Sequence, residues 1–416
     1  MKRYLFLLCM LFVPVLAGCA VLFPETTEAP AVAVIAETTV AETAAPEMQA
    51  PTEAPTLPEP TEPPDYVTSL LREMTLRQKV GQLFIVHPDS LDPPPDPAEK
   101  CATACTPAMI RAMENYPVGG IIMFAENIES PRQLQKFNAD LQDCSEIPLF
   151  LCVDEEGGLV SRLANHKAFN LPKYKSVASV GKSGDPAKAL EMGRTIGAYL
   201  KEYGFNVNFA PVADVNTNPK NTIIGTRAFS SKPETAGQMA SAMADGLREA
   251  GIIPTFKHFP GHGDTVEDSH DALAVSRKTA AELAVCEWLP FESATADDMV
   301  MIGHIALPNV LSDRTPASMS PEVVTGILKN QMGFQGLVIT DSLEMGAITD
   351  LYTSDKAAIG AVKAGCDLIL MPANLEKAFD ALVDAYETGE LDTADLDATV
   401  ERILRFKERH GILGIG

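Results

Sequence analysis

The chain has no Cys-x-x-Cys pair among its eight cysteines, which argues against a zinc ribbon. No Gly-x-Gly-x-x-Gly follows its first apolar segment, which weakens a dinucleotide-binding reading. Basic residues are scarce: 33 Lys and Arg face 56 Asp and Glu, for a formal net charge of −23. Nucleic acid needs a basic footprint on its partner, so this balance argues against such a partner. Long hydrophobic runs are also missing. The N-terminal run from Tyr4 to Leu16 is too short and too soon interrupted for a stable transmembrane helix.

That run has another use. Lys2 and Arg3 precede it, and Ala17-Gly18-Cys19 follows it. A charged start, an apolar middle and small residues at the break describe a secretory signal. Leu16-Ala17-Gly18-Cys19 also looks like a bacterial lipobox, in which cleavage leaves Cys19 as the lipid-modified N-terminus. Residues 1–19 are thus expected to be a lipoprotein signal peptide, and the mature chain to be extracytoplasmic and tethered to a membrane by lipid. Residues 20–65 are rich in Pro, Thr, Ala and Glu and hold nine acids but no Lys or Arg. Such a composition cannot bury enough surface to offset chain entropy. It is expected to be a disordered, semi-stiff spacer. Cys152 and Cys366 lie in apolar runs and are expected to be buried thiols. Cys101 and Cys105 fall in a polar insertion and could pair outside the cytoplasm. Pairing among Cys101, Cys105 and Cys144 is not fixed by sequence.

From residue 66 to residue 416 strand-like and helix-like patterns alternate eight times. The expected strands are Leu83–Val86, Gly120–Phe124, Leu149–Val153, Val207–Ala210, Ile253–Phe256, Val300–Ile302, Leu337–Thr340 and Asp367–Met371. They are short, apolar and largely unalternated, as parallel strands covered on both faces should be. Between them, Met239, Ala242, Met243, Gly246 and Leu247 share one helical face, as do Leu396, Val400, Ile403 and Leu404. Eight βα units over roughly 350 residues predict a single (β/α)8 TIM barrel of the α/β class.

Such barrels place their chemistry at the C-terminal ends of the strands. There the sequence sets Asp154-Glu155-Glu156-Gly157-Gly158 and Arg162, then Asp214-Val215-Asn216 with Arg227 beyond it. Next come Lys257-His258, Gly303-His304 and Thr340-Asp341-Ser342. Charges directly after apolar strands are costly without a purpose, and five on one rim suggest a shared polar ligand. Residues 257–270 concentrate three of the seven histidines, and Pro260-Gly261 breaks any helix there. Asp154, Arg162, Arg227, Lys257 and His258 supply fixed donors and acceptors of the kind a hydroxyl-rich sugar needs. Asp341, at a rigid strand end, could attack an anomeric carbon. His270, with Asp268 two residues earlier, could protonate the leaving oxygen.

These motifs resemble the β-N-acetylglucosaminidases of glycoside hydrolase family 3. Lys257–His270, Asp154–Gly158 with Arg162, Pro211–Arg227 and Ile339–Met345 carry the resemblance, which spans most of residues 66–416. It implies a retaining mechanism with Asp341 as nucleophile and the Asp268–His270 dyad as acid/base. It also implies a sugar subsite of Asp154, Arg162, Arg227, Lys257 and His258, and no metal or cofactor. The implied substrate is a terminal β-linked N-acetylglucosamine, typically on peptidoglycan fragments. The chain is expected to be a monomer. Glu155 departs from the family's usual Gln and reads as an added charge beside the sugar or a solvated one. The insertion at residues 93–106 does not align.

Bland readings accompany several of these residues. His262 reads as a loop residue bonded to backbone, His304 as a satisfied core histidine, Asp264 as a brace acting through Thr265, and Asp341 alternatively as a helix N-cap. A metal held by His258, His262, Asp264, Asp268 and His270 is disfavoured, because the Pro260-Gly261 break keeps the first two histidines off a common helix face. Two other functions remain open: a phosphorylase in which phosphate replaces water, and a sugar-binding lipoprotein without catalysis.

Overall fold

A computed structural model describes residues 65–94, 101–266 and 273–414. The expected leader with Cys19, most of the expected spacer, and Asp268 and His270 lie outside the described residues.

Eight parallel strands form one sheet. They are β1 (Phe84–Val86), β2 (Gly120–Met123), β3 (Phe150–Val153), β4 (Val207–Asn208), β5 (Ile253–Phe259), β6 (Met299–Ile302), β7 (Leu337–Thr340) and β8 (Ile369–Leu370). Their spatial order is β8-β1-β2-β3-β4-β5-β6-β7. A parallel bridge between Ile339 and Leu368 brings β7 back to β8 and closes the ring. This is the expected (β/α)8 barrel, and all eight expected strands are present. Their ends differ by a residue or two except at β5, which runs on through Phe259.

Apolar composition explains the strands: all residues of β1 to β5 and of β6 to β8 are buried. Helices Pro186–Glu202 and Pro233–Glu249 cross through facing glycines, and the second packs on β5. A methyl on Gly193 would lie 2.1 Å from the Met243 carbonyl oxygen, and one on Gly246 would lie 2.2 Å from that of Leu190. Only a bare backbone permits this approach. Met239, Met243, Gly246 and Leu247 face the core as expected, while Ala242 is only half-buried.

The last helix, Thr393–Arg409, buries Leu396, Val400, Ile403 and Leu404 as its periodicity predicts. It also buries Lys407 at the end of the barrel opposite the charged rim. The Lys407 Nζ donates to Gln82 Oε1 at 2.8 Å and to the Gly119 carbonyl at 3.0 Å, and lies 4.7 Å from the centre of the Phe150 ring. No carboxylate pairs with it among the described contacts, and burial pulls its pKa down to about 7.

Candidate active site

Polar side chains converge at the C-terminal ends of the strands around a cavity of about 210 Å3. Asp154, Arg162, Arg227, Lys257, His258 and Asp341 all line it, so the structure brings the five expected sugar-binding residues and the expected nucleophile together.

The strand β5 explains two of them. Its pairing with β6 shifts register between Phe256 and Phe259, so the consecutive Lys257 and His258 both reach the cavity. A bulge of this kind re-aims side chains that strict alternation would send apart. The histidine segment therefore begins as strand, and becomes loop only beyond Phe259.

Lys257 is almost wholly buried. Its Nζ bonds Asp154 Oδ1 at 2.6 Å and Glu156 Oε1 at 2.8 Å. Burial alone would lower its pKa, but Asp154 and Glu156 outweigh that and raise it. Glu156 also takes a two-pronged bond from Arg227, at 2.9 Å from Nε and 2.7 Å from Nη2. Burial works to neutralise Glu156, yet Arg227 and Lys257 hold it far below the usual carboxylate range. Arg162 reaches the second oxygen of Asp154 at 3.5 Å and lies over the Phe124 ring at 5.1 Å. The result is a fixed row of alternating charge along one wall. Glu156 is its hub, and its role is not evident from sequence, because the Glu-Glu pair does not reveal which carboxylate turns inward.

A second network sets His258. Asp214, fully buried, accepts from His258 Nδ1 at 2.7 Å and from the His262 amide at 2.6 Å. Burial opposes its charge, but His258 and His262 bring the Asp214 pKa below its ordinary value. An anionic Asp214 needs a donor, so the His258 Nδ1 bears a hydrogen directed at it. His262 also lines the cavity. Its ring bonds Thr265 Oγ1 at 2.7 Å, and its carbonyl accepts from Asn221 Nδ2 at 2.8 Å. Burial lowers its pKa.

Asp341 follows β7 directly. Its amide continues the barrel ladder by donating to the Ile302 carbonyl at 2.8 Å, and its Oδ1 accepts from the Ser342 amide at 2.8 Å. Burial would raise its pKa. His258, His304, the Ser342 amide and Lys257 more than offset this, and its carboxyl is held below the usual range. It caps no helix: the next one, Gly346–Thr349, begins after Met345. His304 is fully buried, with Nδ1 2.8 Å from Ser318 Oγ and Nε2 2.8 Å from the Ser342 carbonyl. It is the satisfied core histidine that its sequence context suggested, and it also steadies the turn holding Asp341.

Two expectations are corrected. Glu155 is neither solvated nor on the cavity wall. It is fully buried, accepts from the Leu163 and Ala164 amides and from Tyr199 Oη at 2.8–3.0 Å, and has its pKa raised by burial. It ties down the loop that carries Arg162. Asp264 braces the loop through other partners than Thr265: Ser276 Oγ at 3.1 Å and Lys278 Nζ at 3.5 Å.

A larger cavity of about 660 Å3 adjoins the first and shares Phe124, Glu344 and Met371 with it. Residues after β1, β2 and β8, with Pro93 and Cys101 of the insertion, line it. At its edge His87, Asp89 and Cys101 place one potential ligand atom each within 4.8 Å of one another. Among the described residues this is the grouping able to hold a cation, and it stands apart from the histidine loop.

Comparison with known proteins accords with this geometry. The family model for the glycosyl hydrolase family 3 N terminal domain matches residues 75–406. β-Hexosaminidase A of Pseudoalteromonas piscicida is 33% identical over 344 residues, which cover 75% of this chain and 57% of that protein. The chain thus spans little more than half the length of that relative. A glycoside hydrolase family 3 β-N-acetylglucosaminidase from Paenibacillus sp. str. FPU-7 superposes with a TM-score of 0.75 at 35% identity, covering 82% of this chain and 64% of that one. A β-glucoside phosphorylase, BglX bound to 2FGlc, superposes with a TM-score of 0.72 at 25% identity, covering 84% and 62%. The chain belongs to glycoside hydrolase family 3.

Proposed function

We propose that this chain is a retaining exo-β-N-acetylglucosaminidase that removes terminal β-linked N-acetylglucosamine. One observation carries the reading. Asp341 presents an ionised carboxylate from a rigid strand end, in a cavity walled by Asp154, Arg162, Arg227, Lys257 and His258. In the proposed reaction the lysine, arginines and aspartate grip the sugar hydroxyls and acyl group. Asp341 attacks the anomeric carbon and forms a glycosyl ester. The Asp268–His270 dyad protonates the departing oxygen, then takes a proton from the water that cleaves the ester. Its position in sequence supports that role, since Asp268 and His270 follow His262, which lines the cavity, by six and eight residues.

Peptidoglycan fragments are the proposed source of substrate, and an extracytoplasmic chain tethered through lipid at Cys19 is the proposed setting. The signal-like N-terminus supports both. Asp341→Asn should abolish release of 4-nitrophenol from its N-acetyl-β-glucosaminide. NMR of the first-formed sugar should show the β-anomer. First-formed α-anomer would overturn the retaining assignment.

Likeness to a phosphorylase supports a second reading, in which phosphate resolves the glycosyl ester. Phosphate-dependent turnover yielding sugar 1-phosphate would establish it. Sugar release at an unchanged rate without phosphate favours hydrolysis.

A further inference from the structure

We infer that Cys105 and Cys144 form a disulfide in the mature protein. Their sulfur atoms already face each other at 3.9 Å, with Cys105 as donor and Cys144 as acceptor, although 39 positions separate them in the chain. Both are only half-buried, so an oxidant can reach them. Their backbones are held independently. Cys105 precedes Thr106, which caps helix Pro107–Asn115 and bonds Asp92 Oδ2 at 2.6 Å. Cys144 is the C-cap of helix Pro131–Asp143, and its amide donates to the Asp140 carbonyl. Two anchored thiols at this distance need only a small side-chain movement to bond.

Cys101 is engaged elsewhere. It sits with His87 and Asp89, and burial followed by a hydrogen bond to Asp89 pushes its pKa up to about 11. Cys152 and Cys366 are fully or almost fully buried in the core. Among the described cysteines, Cys105 and Cys144 are the two whose sulfurs meet.

The bond needs an oxidant, and the chemistry calls for a disulfide, either of a small thiol or of a thiol oxidoreductase. The Cys144 thiolate attacks one sulfur of that disulfide and releases one thiolate. The Cys105 thiol then loses its proton and attacks the Cys144 sulfur, releasing the second thiolate. Two protein thiols are oxidised, two electrons reduce the oxidant, and two protons leave. Burial and the contact with Cys144 push the Cys105 thiol up to about 12 while both cysteines are reduced.

The link would join the insertion to the helix behind it. The same short segment is already stitched by Gln133 Nε2 to the Thr103 carbonyl at 2.6 Å and by Asn127 Nδ2 to the Ala102 carbonyl at 2.9 Å. Cys101 at its start lines the larger cavity. A covalent clamp here therefore fixes one wall of the space beside the sugar pocket. The inference draws on the extracytoplasmic reading for its oxidant, but its test does not depend on location.

Purified full-length chain, equilibrated with oxidised glutathione and alkylated, should give peptides joined through Cys105 and Cys144 on fragmentation mass spectrometry. The link should persist in Cys101→Ala and vanish in Cys105→Ala and in Cys144→Ser. Reduction should lower Tm by a few degrees in the wild type and leave Tm of the Cys144→Ser variant unchanged. Free thiols at both positions after equilibration, or a bond between Cys101 and Cys105, would overturn the inference. Sugar release by the reduced chain reports on the proposed activity separately.

Discussion

Asp341 lies between opposed influences: burial that favours its neutral form, and two histidines, an amide and a lysine that favour its charge. The charges win, so it remains a carboxylate to pH values below the ordinary range. Sugar release should therefore persist into acid and fall only as pH drops through that lowered pKa. At the alkaline end it should fall as His270 loses its proton. Replacing Asp268 by Asn should move the alkaline limb of kcat/KM to lower pH, and an unmoved limb would count against the dyad. On the proposed mechanism Asp341→Asn should cost at least about 10^3-fold in kcat, because the glycosyl ester could not form. Glu156 acts as a positioning residue. Glu156→Gln would leave Lys257 and Arg227 buried beside a neutral amide, at a stability cost of about 3–5 kcal/mol. KM should rise more than kcat falls, measured on the folded fraction, because Lys257 and Arg227, proposed to hold the sugar, lose their alignment.

At the scale of elements, parallel strands were the legible part. Being covered on both faces, they are short apolar runs, and β1, β3 and β7 are followed at once by His87, Asp154 and Asp341. The end of β5 was harder to read, because Lys257 and His258 look like loop residues until the shift in register beside β6 is known. Asp214 and Glu156 show the same limit. Each is a buried carboxylate whose worth lies in which side chains surround it, and those come from strands far away in sequence. Glu155 illustrates the reverse error, since its neighbour's inward turn leaves it pinned in the loop below. The glycine crossing of helices Pro186–Glu202 and Pro233–Glu249 gives an element-scale test. Gly193→Ala should cost about 1–3 kcal/mol by overpacking against the Met243 carbonyl. Chemical denaturation would measure this, and turnover per folded molecule should be unaltered.

For the molecule as a whole, Lys407 sets a dependence of stability on pH. Its pKa falls from an ordinary 10.5 to about 7 on folding. Between those values the unfolded chain binds a proton that the folded chain does not, so this group makes stability rise with pH across that window. Below about pH 7 both states are charged, and the folded state bears the full cost of burying the charge. Lys407→Met, similar in length and without charge, should raise Tm near neutrality and flatten the slope between pH 7 and 10. An unchanged slope in calorimetry across that range would show that the charge is solvated from below.

The joint between β7 and β8 has a wider consequence. Backbone bonds from the Thr340 and Leu343 amides to the Leu368 and Leu370 carbonyls cross it, and Asp367 adds a side-chain bond: its carboxylate accepts from the Val338 amide at 2.8 Å while gripping Lys329 and Arg402. The hoop is therefore buckled by a side chain where β8 returns to β7, and Asp341 follows β7 directly. Changes around Asp367 can tilt the Asp341 carboxylate without altering a single group that lines the pocket. Drift in this buckle is a route by which relatives with identical pocket residues could come to differ in speed.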